Sequence, residues 1–225
     1  MKHKALSIIL TLGLTVAMAT LSGCGSSSTD SSSASETSNS GDSTDSGKSG
    51  KVSNVKMSDD FSDYTFTLDG VVYQLPFDFS ELTENGWTVS EDSGLQADDT
   101  ITSGDFTSII LTKDGNEIYA NTENNTSEDI TVLKATVTSL EVDADYVLDT
   151  EILQLAKGIT LSTSKEDAAK AMEAEWVADD EQGEVLLFID DSTEYYGEIE
   201  CGCSNGTDID MLLICKENSI ILDEE

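Results

Sequence analysis

The chain has 225 residues, of which 45 are acidic and only 11 are basic, and its formal net charge at pH 7 is −34. All the basic residues are Lys, and the single His is His3. Away from its N-terminus the chain therefore offers no His for a Ser-His-Asp triad or a metal site, and no Arg for bidentate binding of phosphate. Because such a surface repels a phosphate backbone, we expect no nucleic-acid partner.

The N-terminus has the pattern of an export signal. Residues 1–4, MKHK, are basic, and residues 5–20 form an apolar run. A short basic segment followed by such a run is typical of a secretory signal. The run is marginal for a bilayer span, which needs about 20 residues.

The tetrapeptide Leu21-Ser22-Gly23-Cys24 directly follows this run and resembles the lipobox of bacterial lipoproteins. In that family the Cys sulfur receives a diacylglycerol, and the chain is then cut just before the Cys. The resemblance implies that residues 1–23 are a signal peptide and that Cys24 is the lipidated N-terminus, anchored by acyl chains such as palmitate on the extracellular face of the cell membrane. Two acyl chains are enough for stable anchoring. The alternative is an uncleaved anchor helix, in which Cys24 has no role.

Residues 24–50 predict a tether. After Cys24 they consist almost entirely of Ser, Thr, Gly and Asp, with no apolar face to offset the loss of chain entropy. We expect a disordered linker with a span of about 30 Å. The remainder, about 170 residues, is long enough for one core or two small ones.

Two segments of this remainder show the same order of features. Residues 67–87 and 154–176 each contain a Gly, a β-prone run, a helix-start signal and a Trp. An apolar strand with an Asp-containing turn follows each segment, at Asp114-Gly115 and at Asp190-Asp191. We therefore predict an α+β fold of two tandem units, residues 51–148 and 149–225, each a short helix packed on an antiparallel β-meander. The alternative is a chance recurrence of turn signals.

The helix starts can be placed more closely. Asp78 and Glu81 have the spacing of a capping box ahead of the first helix. Ser164 and Asp167 have the same spacing ahead of the second helix, and so do Thr163 and Glu166.

The predicted order of elements is similar to the tandem-repeat fold of the beta-lactamase inhibitory protein and of small outer-membrane assembly lipoproteins. The stretch most like that family is GITLSTSKEDAAKAM, residues 158–172. The family often has a second helix in each unit, which the first segment lacks. The lipobox, the Ser-rich tether and the TLDG and VYQLP motifs also resemble surface lipoproteins of Firmicutes-type bacteria. These resemblances imply a fold and a location, and they imply no activity.

Three cysteines lie near the C-terminus. Cys201 and Cys203 fall on the same face of one predicted strand, and Cys215 falls on the next strand. One of the first two could form a disulfide with Cys215 across the hairpin. Buried free thiols are an equally good interpretation, and a thiolate metal site would lack a fourth ligand.

No set of catalytic residues stands out in this sequence. Trp87 and Trp176 occupy matching positions, which favours core anchors over sugar-stacking residues. Acidic pairs such as Asp190-Asp191 lack the EF-hand order, so we predict no metal site and no cofactor. The prediction is a non-catalytic, membrane-anchored binding module with a protein or cell-wall partner. A carboxylate-only, glycosidase-like hydrolase and a divalent-cation-binding surface protein are the alternatives.

Overall fold

A computed structural model describes residues 55–179, 182–191 and 195–218 of this chain. All of them lie in one compact unit, Gly47–Glu225. The predicted signal peptide, Cys24 and the Ser-rich linker lie outside the described residues.

Most of the regular secondary structure in the described residues is β-strand. The strands are β1 Thr65–Leu68, β2 Val71–Gln74, β3 Phe77–Asp78, β4 Thr88–Val89, β5 Thr100–Ile101, β6 Phe106–Lys113, β7 Asn116–Glu123, β8 Ile130–Thr131, β9 Thr136–Asp143, β10 Leu153–Gln154, β11 Val177–Asp179, β12 Gly183–Asp191, β13 Tyr195–Cys203 and β14 Met211–Asn218. The α-helices within the described ranges are α1, Ser80–Glu84, and α2, Lys165–Met172. The fold is therefore β-rich and antiparallel, as the predicted meanders require, with short α-helices added.

One large antiparallel sheet dominates the fold. Its strand order is β11-β12-β13-β14-β9-β7-β6-β4, and β3 pairs with β9 next to the end of β14. A three-stranded sheet of order β10-β1-β2 and a two-stranded sheet of β5 and β8 complete the described β-structure.

The tightest hairpins follow from local sequence. Asp69-Gly70 joins β1 to β2, and Asp114-Gly115 joins β6 to β7. All four residues have positive φ angles, between 46° and 84°. Asp-Gly is the dipeptide that favours this left-handed two-residue turn, whose twist suits antiparallel strands. The turn predicted at Asp114-Gly115 is confirmed, whereas the turn predicted at Asp190-Asp191 is wrong, because both residues belong to β12 and pair with β13.

The two helices begin in different ways. At α2, the Ser164 hydroxyl accepts a hydrogen bond from the backbone N–H of Asp167 at 3.2 Å, so one of the predicted caps is confirmed. At α1 the predicted capping box is wrong, because the N-cap is Phe79, without a side-chain hydrogen bond. Asp78 instead belongs to β3, where it pairs with Thr136 of β9.

One face of the large sheet carries the core, and we call it the covered face. Helix α2 packs on it, with the sulfur of Met172 3.8 Å from that of Cys201. The three-stranded sheet lies over the same face and buries Phe66 and Tyr73, whose stacked rings are 5.7 Å apart. The strand residues that form this face include Leu111, Ile118, Leu140, Ile199, Leu212 and Ile214, all 1% exposed or less.

A glycine permits the closest approach in this core. A Cβ atom on Gly197 of β13 would lie 1.9 Å from the hydroxyl oxygen of Tyr64, which is fully buried. Only a residue without a side chain therefore fits beneath the Tyr64 ring, since interiors are close-packed.

Candidate binding surface

The opposite face of the large sheet presents a different set of side chains. Because side chains alternate along a strand and paired residues share a face, the register assigns each residue to one side. One transverse row crosses six strands on this second side, and its residues are Leu187, Glu200, Leu213, Glu141, Tyr119 and Ile110. We call this set the central row and the side that carries it the open face.

The open face combines apolar groups with carboxylates. Ile189 and Val177 are 53% and 58% exposed, and Phe106, near the other end of the sheet, is 66% exposed. The central row places Glu200 between Leu187 and Leu213, so an apolar side chain flanks this carboxylate on each neighbouring strand. Large exposed apolar groups on a regular surface often mark an interaction site.

Tyr119 extends the row toward the loop after β9. Its ring meets that of Tyr146 edge to face, with the centroids 6.1 Å apart. Tyr146 itself is 47% exposed. Paired aromatic rings supply large contact areas with little conformational freedom, and they are common in protein interfaces.

Glu200 has the most perturbed carboxyl group of this surface. Burial raises the pKa of Glu200 to about 7. The neighbouring carboxylates of Glu198, Asp179 and Glu141 add to the rise, because like charges disfavour ionisation. Near neutral pH this group therefore exchanges between its ionised and neutral forms.

Other acidic groups of the open face shift in the same direction. The pKa of Glu141 is raised by burial and then by Asp143, and burial is also the main reason that the pKa of Asp143 is raised. On β7 the pKa of Glu123 is raised by burial, although a hydrogen bond from Asn125 opposes the change. Clusters of perturbed groups are more frequent at functional sites than elsewhere.

The lysines on strands of the large sheet lie on the covered face. Lys113 forms an ion pair with Asp69 at 2.5 Å. Lys216 lies over the rings of Tyr64 and Tyr195, 5.0 Å and 4.4 Å from their centroids. Both described strand lysines of this sheet therefore lie on the face opposite to Glu141 and Glu200, although the covered face also carries acidic strand residues such as Asp190.

The three cysteines are free thiols in the structure. Cys201 and Cys203 share the covered face of β13, as predicted from their spacing, but Cys215 lies on the open face, where it pairs with Glu198. A disulfide across the hairpin is therefore not formed, because its partners point to opposite sides of the sheet. Burial raises the pKa of Cys201 to about 12, so this thiol stays protonated.

The remaining candidate residues have structural roles. Trp87 is fully buried in the core, and Trp176 is partly buried and donates its indole N–H to the carbonyl of Lys165 at 3.1 Å. The hydroxyl of Tyr195 donates to Asp190 at 2.9 Å, on the covered face. Among the described residues, no three His, Cys, Asp or Glu side chains come together as metal ligands.

The structure contains a shallow cavity of about 320 Å³ away from the central row. Val55, Pro76, Phe77, Asp78 and Glu81 are among its lining residues. Within the described ranges, no helix is both long enough and apolar enough to cross a bilayer.

Comparison of the chain with family models, with curated proteins and with solved structures found no match in any of the three searches. Inferences about its function therefore depend on the geometry described above.

Sequence reasoning did not single out Glu141 or Glu200. Each is one of 45 acidic residues, and nothing in its immediate sequence sets it apart. The alternation Glu198-Ile199-Glu200 does indicate a strand with one acidic side. It does not indicate that Glu200 lies in one row with Leu213 and Glu141, because only the pairing of the strands decides which residues become neighbours.

Proposed function

We propose that this protein is a lipid-anchored, non-catalytic binding module on the outer side of the cell membrane. The lipobox-like sequence ending at Cys24 supports the anchor, and the long Ser-rich segment supports a tether that lets the folded unit reach a partner. The single observation that carries the binding role is the open face, where partly buried apolar side chains flank carboxylates that are costly to bury and where Ile189, Val177 and Phe106 are exposed.

We further propose that the folded part consists of the two predicted tandem units. Strands β4, β6, β7 and β9 form one half of the large sheet, and strands β11 to β14 form the other half in the reverse order. A helix precedes each half, and β9 pairs with β14 at the centre. The lead-in strands β1 and β10 also pair with each other. This two-fold order supports a duplication, and it makes the open face a continuous surface contributed by both units.

Lipid anchoring can be tested by replacing the sulfur atom of Cys24 with oxygen. Cys24→Ser removes the sulfur that would carry the lipid, and we expect the variant to lose acylation and to leave the membrane fraction. Metabolic labelling with palmitate followed by membrane fractionation measures both effects. Unchanged labelling and fractionation of the variant would disprove lipid anchoring.

The binding role can be tested in intact cells. The full chain, with a photo-reactive amino acid in place of exposed Ile189 on the open face, is expected to form a discrete cross-linked product after irradiation. The same reactive group at exposed Glu166 on α2, a residue of the covered side, is the matched control. Equal cross-linking from the two positions would indicate random contact and would count against the proposal.

A carboxylate-only hydrolase is the second candidate, and one observation favours it. Glu200 and Glu141 have raised pKa values and flank Leu213, which places their backbones about 10 Å apart. Inverting glycosidases use two carboxyl groups about 6.5–9.5 Å apart. Turnover of cell-wall glycan by the purified protein, reduced at least about a hundredfold by Glu200→Gln, would support this candidate. The absence of turnover would remove it.

A further inference from the structure

We propose that the open face docks a basic protein segment, with a Lys or Arg side chain seated over Leu213 between Glu141 and Glu200. This inference rests on the proposed binding function, and it names the surface and the chemistry of the partner. The occupant we infer is a polypeptide with alternating apolar and cationic side chains.

The geometry of the central row suits such a side chain. Leu213 pairs with Glu200 on one side and with Glu141 on the other, so a carboxylate stands on each side of an apolar residue. Neighbouring strands are about 4.8 Å apart, and a cation above Leu213 lies within side-chain reach of both acids. The methylene groups of Lys or Arg pack on apolar surface while the charged end meets a carboxylate.

Apolar positions on either side of the acids favour a polypeptide over a small cation. Leu187 ends the row on one side, and Tyr119 with Ile110 continues it on the other. A polyamine would satisfy the carboxylates and leave these side chains in water. A protein segment would bury them together with the charges, which is the usual composition of an interface.

The distribution of charge excludes other occupants. Lys113 and Lys216 lie on the covered face, so neither strand lysine neutralises the acids of the open face. A second copy of this chain would bring the same acidic face and a net charge of −34, and the two copies would repel each other. Anionic wall polymers and anionic lipids are disfavoured for the same reason.

Partial burial of the acids gives the proposal a second observable. A cation beside Glu200 favours its ionised form and opposes the effect of burial, which now raises its pKa to about 7. Docking of a basic side chain near pH 6.5 should therefore release protons to the solvent. The groups that face Glu200 are Glu198 on its own strand, Glu141 on β9, Asp179 on β11 and the apolar Leu187 and Leu213.

The test uses the full chain reconstituted in phosphatidylcholine vesicles, which carry no net charge. The probe is a short amidated peptide in which leucine and lysine alternate, and its counterpart has glutamate in place of lysine. Calorimetry in two buffers of different ionisation enthalpy measures both the affinity and the protons released. We expect saturable binding of the basic peptide with proton release near pH 6.5, and no binding of the acidic one.

Two double variants decide where the peptide binds. Glu141→Gln with Glu200→Gln removes two charges from the open face, and Glu81→Gln with Glu166→Gln removes two from α1 and α2 on the covered side. We expect the first pair to weaken binding by at least about tenfold and to abolish proton release, while the second pair changes affinity by less than about threefold. Circular dichroism confirms that each variant is folded.

Three results would overturn the proposal. The first is an equal loss of affinity for the basic peptide in the two double variants, which would indicate long-range attraction alone. The second is binding of the acidic peptide. The third is the lack of saturable binding of the basic peptide up to about 1 mM. The last result combined with a discrete cross-link from Ile189 in cells would reject a basic partner and leave the binding function in place. Loss of both signals would reject the two together.

Discussion

Replacing Glu200 with Gln is expected to stabilise the folded protein at pH 8.5 and to have little effect at pH 5. Glu200 lies on β13 between apolar neighbours, and its pKa is raised from 4.5 to about 7. An acid whose pKa is higher in the folded than in the unfolded state binds its proton more tightly when folded. The free energy of unfolding therefore increases as pH falls from about 7 to about 4.5, and above pH 7 the ionised Glu200 destabilises the folded protein to its full extent.

The magnitude follows from the size of this rise. Each unit of pKa corresponds to about 1.4 kcal/mol, which gives an upper bound of about 3 kcal/mol for ionised Glu200. The side chain is only partly buried, and screening by solvent reduces this to about 1–2 kcal/mol. Gln has nearly the same shape without the charge, so Glu200→Gln should recover most of that amount at pH 8.5.

Urea unfolding followed by tryptophan fluorescence at pH 5, 7 and 8.5 measures the difference. Buried Trp87 makes the signal sensitive to loss of the core. Glu166→Gln is the matched control, because Glu166 is exposed in the first turn of α2, where a carboxylate favours the helix. The reasoning is refuted if Glu200→Gln gives the same change at pH 5 and pH 8.5, or destabilises the protein at the higher pH.

Three further predictions concern the packing of the fold. Gly197→Ala should destabilise the protein by about 3 kcal/mol, because the new methyl group would overlap fully buried Tyr64. The control Gly94→Ala, with open space around the new methyl group, should change stability by less than about 0.5 kcal/mol. Thermal unfolding compares the two variants, and equal shifts in melting temperature would contradict the packing argument. Ser164→Ala should cost about 1 kcal/mol through loss of the α2 cap, measured by urea unfolding, and an unchanged midpoint would show that this cap contributes nothing. Cys201, buried and with a raised pKa, should react with a thiol reagent only after unfolding. Peptide mass spectrometry locates the label, and rapid labelling of Cys201 itself in the native protein would disprove its burial.

Local sequence was a good guide where one short segment settles its own conformation. Asp114-Gly115 predicted a hairpin turn, and both residues adopt the required positive φ angles. Ser164 and Asp167 predicted the start of α2, because the capping hydrogen bond spans only three residues.

Local sequence failed where a distant strand competed for the same residues. The pair Asp78 and Glu81 predicted a capped helix, but Phe77 and Asp78 pair with Val137 and Thr136 of β9. Backbone hydrogen bonds to that strand satisfy the polar groups that a cap would have served, and α1 begins only after them. The cysteines show the same limitation, since their spacing identified the face shared by Cys201 and Cys203, whereas it left open a disulfide with Cys215 that the strand register does not allow.

The order of the amino acids was sufficient to predict the hairpin turn at Asp114-Gly115 and to show the excess of carboxylates, because each depends on composition or on residues a few positions apart. The lipobox and the tether depend on the same kind of local pattern and stay predictions. The central row could not be read in this way. Glu141 and Glu200 come from separate regions of the chain and become neighbours across Leu213 only through the register of β9, β14 and β13. A shift of one residue in either pairing would turn the affected side chains to the other face of the sheet, so the surface that we propose for binding exists only in the assembled tertiary structure.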